Sequence, residues 1–309
     1  RGIKMGKIAF VFSGQGDQYS GMGKKLCEKY PEAARVFDIC DNIRGGTSEQ
    51  CFCGSEDELK ETKNTQPCLF AYEAAAAAVL TANGIKANVT AGFSLGEVAA
   101  LAFSGAVDLE TGFSLVCRRG ELMHKAAEKH PAKMAAVVRL ENDEVKRIAS
   151  QFENIYPVNF NCPGQVTVAG SEEIMPEFSV AVKEAGGRAL PLKVSGGFHS
   201  PFMNEAAELF KDELEKVSFA EPQIPLYSNV TALAYSKNAP EMLSKQICSP
   251  VLWEKLILNM INEGIDTFIE IGPGNTLCGL ISKIDKNVRV YTAADLEKSE
   301  FPFDEVKSC

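Results

Sequence analysis

The pentapeptide Gly92-Phe93-Ser94-Leu95-Gly96 narrows the possible folds more than any other stretch of this chain. The residues before it, Asn88-Val89-Thr90-Ala91-Gly92, read as a short strand, and Glu97 to Phe103 read as a helix. A serine between glycines at a sharp strand-to-helix turn fits the G-x-S-x-G elbow. In that elbow the hydroxyl projects clear of a sheet, and the glycines let neighbouring backbone pack close. The N-terminus of the following helix supplies partial positive charge. At Leu95 it also leaves a backbone N–H without an intrahelical partner, able to hold an oxyanion. The pattern alone recurs by chance, and a glycine-rich turn in which Ser94 only caps the helix is the competing reading.

An α/β chain with a parallel sheet is the expected fold. Lys7 to Phe12 form a continuous apolar run that ends in Ser13-Gly14-Gln15-Gly16, a buried strand followed by a tight loop. Gly21 to Tyr30, Pro31 to Ile43 and Gln66 to Ala82 are helical in composition, the last with Pro67 near its start. Strands alternating with helices predict a parallel sheet covered on both faces. The middle of the chain reads differently. Lys133 to Val138 is a strand, Asn142 to Phe152 a helix, and Ile155 to Phe160 and Gln165 to Ala169 are strands joined by Asn161-Cys162-Pro163-Gly164. Glu172 to Ala185 is a second helix and Arg188 to Leu192 a fourth strand. That order, βαββαβ, is the ferredoxin-like unit. The parent pattern resumes with a helix from Pro201 to Val217, a strand near Ile224 to Asn229 and another at Thr267 to Ile271. The expected division is a large α/β subdomain of residues 5–131 and 199–296, an inserted small subdomain of 132–198, and a loosely attached tail of 297–309.

Bulk properties exclude several classes. The 309 residues carry a net charge of -9, which argues against nucleic acid or an anionic membrane as the main partner. No apolar run approaches the roughly 18 residues of a membrane span, and the start shows no secretory signal. Ten cysteines in a long, apolar-rich chain read as reduced thiols of a cytoplasmic protein, since disulfide-dense chains are short and secreted. Cys51-Phe52-Cys53 has no second pair at zinc spacing, so no metal site is expected.

A nucleophilic serine needs a base, and the chain has three histidines. His124 and His130 lie on or at the end of the helical stretch Gly112 to Lys129, where a surface histidine is the default reading. His199 lies in the loop Ser195-Gly196-Gly197-Phe198-His199-Ser200-Pro201, between the small subdomain and the resumed large one. Loops on a rigid scaffold are where catalytic side chains concentrate, so His199 is the candidate base against a structural loop histidine. Arg118 and Arg119 interrupt an otherwise apolar helix. Adjacent helical residues point about 100° apart, so at most one faces a pocket, where its planar fork would match a carboxylate. A solvated charged face is the alternative for both.

Taken together, six motifs resemble the malonyl-coenzyme A:acyl carrier protein transacylases of bacterial fatty acid synthesis, from Ile8 to about Val290. They are Phe12 to Gly16; Gly92 to Glu97; Arg118-Arg119-Gly120-Glu121-Leu122-Met123; Asn161 to Gly170; Gly197-Phe198-His199-Ser200-Pro201; and Glu270-Ile271-Gly272-Pro273-Gly274. The resemblance implies a hydrolase-like core with an inserted ferredoxin-like subdomain. It implies Ser94 as nucleophile, His199 as base, and Gln15 and Leu95 as backbone oxyanion donors. It further implies that Arg119 holds the malonyl carboxylate and that the Gln246 main-chain carbonyl orients the histidine. Asn161 and Gln165 are similar to the family's pocket-side residues, and Phe198 to the residue before the histidine in malonyl-selective members. The implied partners are malonyl-coenzyme A and acyl carrier protein, with no cofactor. The chain is expected to work as a monomer, although the sequence sets no oligomeric state. One departure is clear: the family usually has histidine before the serine, and this chain has Phe93. A serine hydrolase or esterase with the same elbow, a trans-acting acyltransferase of polyketide synthesis and a non-catalytic carrier-docking subunit are the rival readings.

Overall fold

The computed structural model describes residues 6–194, 196–235 and 238–307. Residue 5 of the expected large subdomain, Ser195 of the glycine-rich loop and the last two residues of the expected tail lie outside these. The strands are β1 (Lys7–Phe12), β2 (Val89–Gly92), β3 (Lys133–Val138), β4 (Ile155–Cys162), β5 (Gln165–Gly170), β6 (Arg188–Pro191), β7 (Leu226–Tyr227), β8 (Ile265–Ile271) and β9 (Arg289–Thr292). Two sheets result. The first is parallel, in the order β7-β2-β1-β8-β9, and the second antiparallel, in the order β4-β5-β3-β6.

The unbroken apolar run of β1 is buried because helices cover both faces of the sheet. Side chains alternate across a strand, and β1 splits accordingly. Ile8, Phe10 and Phe12 enter a core shared with the helices Thr62–Ala82, Leu95–Phe103 and Leu109–Lys129. Ala9 and Val11 enter the opposite one, with Trp253, Leu256 and Ile281. In register, Phe12 lies beside Gly92 of β2 and Ile271 of β8, so three loops leave the sheet side by side at its C-terminal edge. In open parallel sheets that edge is where ligands bind.

The second sheet carries the helices Asn142–Ala149 and Met175–Glu184 over a core of its own, including Val137, Ile148, Val168 and Phe178. It is tied to the first unit by backbone: Phe160 N–H donates to Val251 O at 2.9 Å and Val251 N–H to Val158 O at 2.8 Å.

Several boundaries differ from expectation. The helix expected from Gln66 starts at Thr62, placing Pro67 in its second turn. The strand expected over Ile224 to Asn229 contracts to Leu226–Tyr227, because Pro225 lacks an N–H for the ladder and Ser228 and Asn229 turn away. Asn161, expected in a hairpin loop, lies in β4, leaving Pro163-Gly164 as the tight turn with Gly164 at φ 74°. The helix expected from Pro201 begins as a 3-10 turn over Pro201–Met203 and runs from Asn204 to Leu214. The tail is not loose. Phe301 and Val306 are buried in the main core, and Glu297 accepts from Tyr19 Oη at 2.6 Å and Gly23 N–H at 3.0 Å. Among the described residues no helix is long and apolar enough to cross a membrane, and the cysteines are free thiols.

Candidate active site

The elbow puts Ser94 at the C-terminal end of β2 with φ 56° and ψ −106°, a conformation that costs a non-glycine residue of order 1–3 kcal/mol. Close packing requires both flanking glycines. A Cβ at Gly92 would stand 1.8 Å from the carbonyl carbon of Gly96, and one at Gly96 would stand 2.4 Å from Phe12 O. Asn229 holds the strained turn. Its Oδ1 accepts the Ser94 N–H at 2.8 Å and its Nδ2 donates to Gly92 O at 2.6 Å. Gln246 Nε2 donates to Ser94 O at 2.7 Å. Three hydrogen bonds from two side chains therefore fix the turn.

His199 comes from the glycine-rich loop and also has a left-handed backbone, φ 62°, anchored by its N–H to Ile247 O at 3.1 Å. Its Nε2 lies 2.7 Å from Ser94 Oγ and its Nδ1 2.8 Å from Gln246 O. A carbonyl only accepts, so Nδ1 carries the proton and Nε2 is left bare toward the serine hydroxyl. Burial lowers the imidazole pKa to about 4, with the Arg119 charge acting in the same direction. The imidazole is therefore neutral at physiological pH. His124 and His130 lie away from the serine, near Glu128 and Glu205 respectively.

The two arginines part as helical geometry requires. Arg118 is half-exposed and pairs with Glu121 and Glu213. Arg119 is 1% exposed, and its Nη2 stands 3.1 Å from Ser94 Oγ. Nη1 donates to Gln66 Oε1 at 2.8 Å, and Nη2 also donates to Gln246 Oε1 at 2.7 Å. Gln66 can reach because the helix Leu109–Lys129 lies close against Thr62–Ala82 at Gly120, where a Cβ would stand 3.0 Å from Thr62 O. Burial lowers the guanidinium pKa to about 10, opposed by Glu97, so it stays charged at neutral pH.

The backbone N–H groups of Gln15 and Leu95 have no acceptor among the described residues; Gln15 lines the same cavity as Ser94, and Leu95 follows it in the chain. The loop after β1 meets the elbow directly: a Cβ at Gly14 would stand 3.1 Å from Phe93 O. A cavity of about 100 Å³ lies over Ser94, bounded by Gln15, Phe93, Phe198 and His199. It shares Gln15, Phe93, Asn159 and Leu192 with a neighbouring cavity of about 250 Å³. Asn161 and Gln165 border the second cavity and not the first. Asn161 donates to Thr167 Oγ1 at 3.3 Å and leaves Oδ1 without a partner, while Gln165 accepts from Lys283 at 3.3 Å. Phe93, in the place of the family's histidine, packs its ring 5.4 Å from that of Trp253.

Sequence reasoning missed Asn229, Gln66, Tyr235 and the part played by Glu97. Glu97 is wholly buried, and its carboxylate accepts from Gln246 Nε2 at 2.8 Å, Asn229 N–H at 3.2 Å and Tyr235 Oη at 2.5 Å. The available signal was an acidic residue in a helix otherwise made of Leu95, Val98, Ala99, Ala100 and Leu101.

A strained serine, a neutral imidazole, two free N–H groups and a buried guanidinium can form, stabilise and discharge an acyl ester that carries a carboxylate. The comparisons agree with that chemistry. The acyl transferase domain family matches residues 9–298. The malonyl CoA-acyl carrier protein transacylase of Bacillus subtilis (strain 168) is 37% identical, over 98% of each chain. The crystal structure of the corresponding enzyme from Clostridium perfringens superposes with a TM-score of 0.93 at 37% identity, over 97% of each chain. A malonyl-transacylase solved in complex with its type II PKS acyl-carrier protein gives 0.91 at 32% identity, over 96% of this chain and 99% of that one. This chain belongs to the acyl transferase domain family, and within it to the malonyl CoA-acyl carrier protein transacylases.

Proposed function

We propose that this chain moves a malonyl group from malonyl-coenzyme A to the phosphopantetheine thiol of acyl carrier protein through an ester on Ser94, in supply of fatty acid synthesis. The observation that carries the reading is a buried guanidinium, charged at neutral pH, 3.1 Å from a serine oxygen that is itself 2.7 Å from a neutral imidazole. In the first half-reaction Ser94 Oγ attacks the thioester carbonyl while His199 Nε2 takes its proton. The Gln15 and Leu95 N–H groups face the developing oxyanion, and losing one such donor typically costs about 2.7–4 kcal/mol of barrier. The tetrahedral adduct collapses, the C–S bond breaks, and His199 returns the proton to the coenzyme A sulfur. In the second half-reaction the carrier thiol gives its proton to His199 and attacks the ester carbonyl. Ser94 leaves and recovers that proton. Once Oγ is an ester, the Arg119 N–H that had faced it is available to the distal carboxylate of the acyl group.

The same observations weigh against a hydrolase. His199 Nδ1 faces a carbonyl and not a carboxylate, and an esterase has no use for a buried guanidinium beside its nucleophile. A parallel sheet bearing the elbow supports a hydrolase-like core of residues 5–131 and 199–296. The order βαββαβ, with its sheet order β4-β5-β3-β6, supports a ferredoxin-like reading of 132–198. In this reading Phe198 walls the acyl cavity, while Asn161 and Gln165 face the substrate from the small unit through the neighbouring cavity.

Initial rates test the reading. With malonyl-coenzyme A and phosphopantetheinylated carrier protein varied together, a double-displacement enzyme gives parallel double-reciprocal lines. Converging lines, or free malonate released at the rate of coenzyme A with the carrier bypassed, would overturn it.

A further inference from the structure

The cycle above uses neither the Glu97 carboxylate nor the side-chain amide of Gln246, although both are buried directly under the reacting serine. An amide can sit in either of two orientations, and only one serves here. With Oε1 toward Arg119, Gln246 accepts from the guanidinium at 2.7 Å. Turned over, it would set an NH2 against the guanidinium, donor against donor. Two acceptors decide between them by claiming Nε2: Ser94 O at 2.7 Å and Glu97 Oε2 at 2.8 Å. The Glu97 carboxylate is an acceptor with three donors converging on it, Gln246 from one segment of the chain and Asn229 and Tyr235 from the loop after β7. It also stands in the field of Arg119 and opposes the drop in that guanidinium's pKa.

We propose that Glu97 is a positioning residue for recognition of the acyl carboxylate: it locks the Gln246 amide so that Oε1 meets Arg119 and thereby holds the guanidinium toward Ser94. The inference rests on the reading of Arg119 as the malonyl carboxylate's partner. It goes further by placing the determinant of acyl selectivity one residue deeper, on the elbow helix that carries the nucleophile. A chain Glu97–Gln246–Arg119 then links the fold of the elbow to the choice of acyl group. Gln246 also supplies the carbonyl that orients His199, so a single residue coordinates base and selectivity.

The chemistry makes a sharp distinction between substitutions. In Glu97→Gln the amide oxygen can still accept from Gln246 and Asn229, while its NH2 donates to the Tyr235 hydroxyl oxygen, which can accept. Glu97→Met fills the same space but removes one of the two acceptors of Gln246 Nε2, leaving Ser94 O alone. Glu97→Asp keeps the carboxyl group but withdraws it by about 1.5 Å, the length of one C–C bond.

The experiment measures kcat/KM for malonyl- and acetyl-coenzyme A with full-length wild type, Glu97→Gln, Glu97→Met and Glu97→Asp, each checked for folding by thermal melting. The malonyl-to-acetyl ratio is expected to fall about tenfold or more in Met and Asp, mostly through KM for malonyl, as for a lost charge-assisted hydrogen bond. Gln is expected to retain the ratio. If Met does not fold, Asp alone decides. An unchanged ratio in Asp, or equal losses for both substrates, overturns the proposal, because a purely structural role lowers both together. A wild type that does not distinguish malonyl from acetyl would instead refute the Arg119 reading beneath it.

Discussion

Substituting Arg119 by alanine separates recognition of the acyl group from the chemistry on it. The guanidinium is 1% exposed and held by Gln66 Oε1 at 2.8 Å and Gln246 Oε1 at 2.7 Å, so it is placed before substrate arrives. In the variant a malonyl carboxylate must enter the same buried site without a cation. Removing one partner of a buried charge pair costs on the order of 2–5 kcal/mol. At 1.36 kcal/mol per decade that corresponds to about 30-fold to several-thousand-fold in kcat/KM for malonyl-coenzyme A. Acetyl transfer has no carboxylate to pair and is expected to change little, so selectivity collapses toward acetyl. Arg119→Lys keeps the charge but loses the planar fork, and its loss should fall between the two. Stopped-flow acylation with each thioester, followed by quench and mass analysis, gives both constants on one sample. Equal losses for both substrates, or an unchanged malonyl-to-acetyl ratio, would refute the assignment of Arg119.

Further outcomes follow from the geometry. With acetyl-coenzyme A, which leaves carboxylate recognition out of the profile, kcat/KM should stay flat as pH falls through 6.5 and decline only toward about 4, the lowered pKa of His199; a midpoint near 6.5 would contradict the buried, neutral imidazole. The sign for stability is the same: the unfolded histidine binds a proton that the folded one refuses, so the contribution of this group is full above about pH 6.5 and is lost on the way down to about 4. Asn229→Ala removes the acceptor of the Ser94 N–H and the donor to Gly92 O, and should lower unfolding free energy by about 1–3 kcal/mol while slowing acylation, read by denaturant titration and stopped flow. Gly92→Ala forces a Cβ to within 1.8 Å of Gly96 backbone and should cost about 3 kcal/mol or fail to fold, whereas Gly279→Ala, in a helix with open space around it, should gain about 0.5–1 kcal/mol.

The part of this site that depends on local chain geometry was legible in the sequence. A serine between two glycines, with a strand before and a helix after, describes one turn, and that turn is what the structure contains. Arg119 was legible only as one of two, because a 100° step says that neighbours diverge but not which of them meets the pocket. The rest depends on where distant segments land. Asn229 was read as the end of a strand, but the strand stops at Tyr227 and the turn after it brings the Asn229 amide to the elbow 135 residues away. Gln66 sits in an alanine-rich helix and gains its role only because Gly120 lets another helix approach. The tail was expected to be loosely attached, but Phe301 and Val306 are buried against the main core.

The most direct measurement is the mass of the intact protein after brief exposure to malonyl-coenzyme A, with the adduct then mapped by proteolysis. One malonyl group is expected, on Ser94, stable to water over the time of the assay and removed when phosphopantetheinylated carrier protein is added; Ser94→Ala should take up none. A malonyl group on another residue, or one released by water as fast as by the carrier, would contradict a transferase built on this serine.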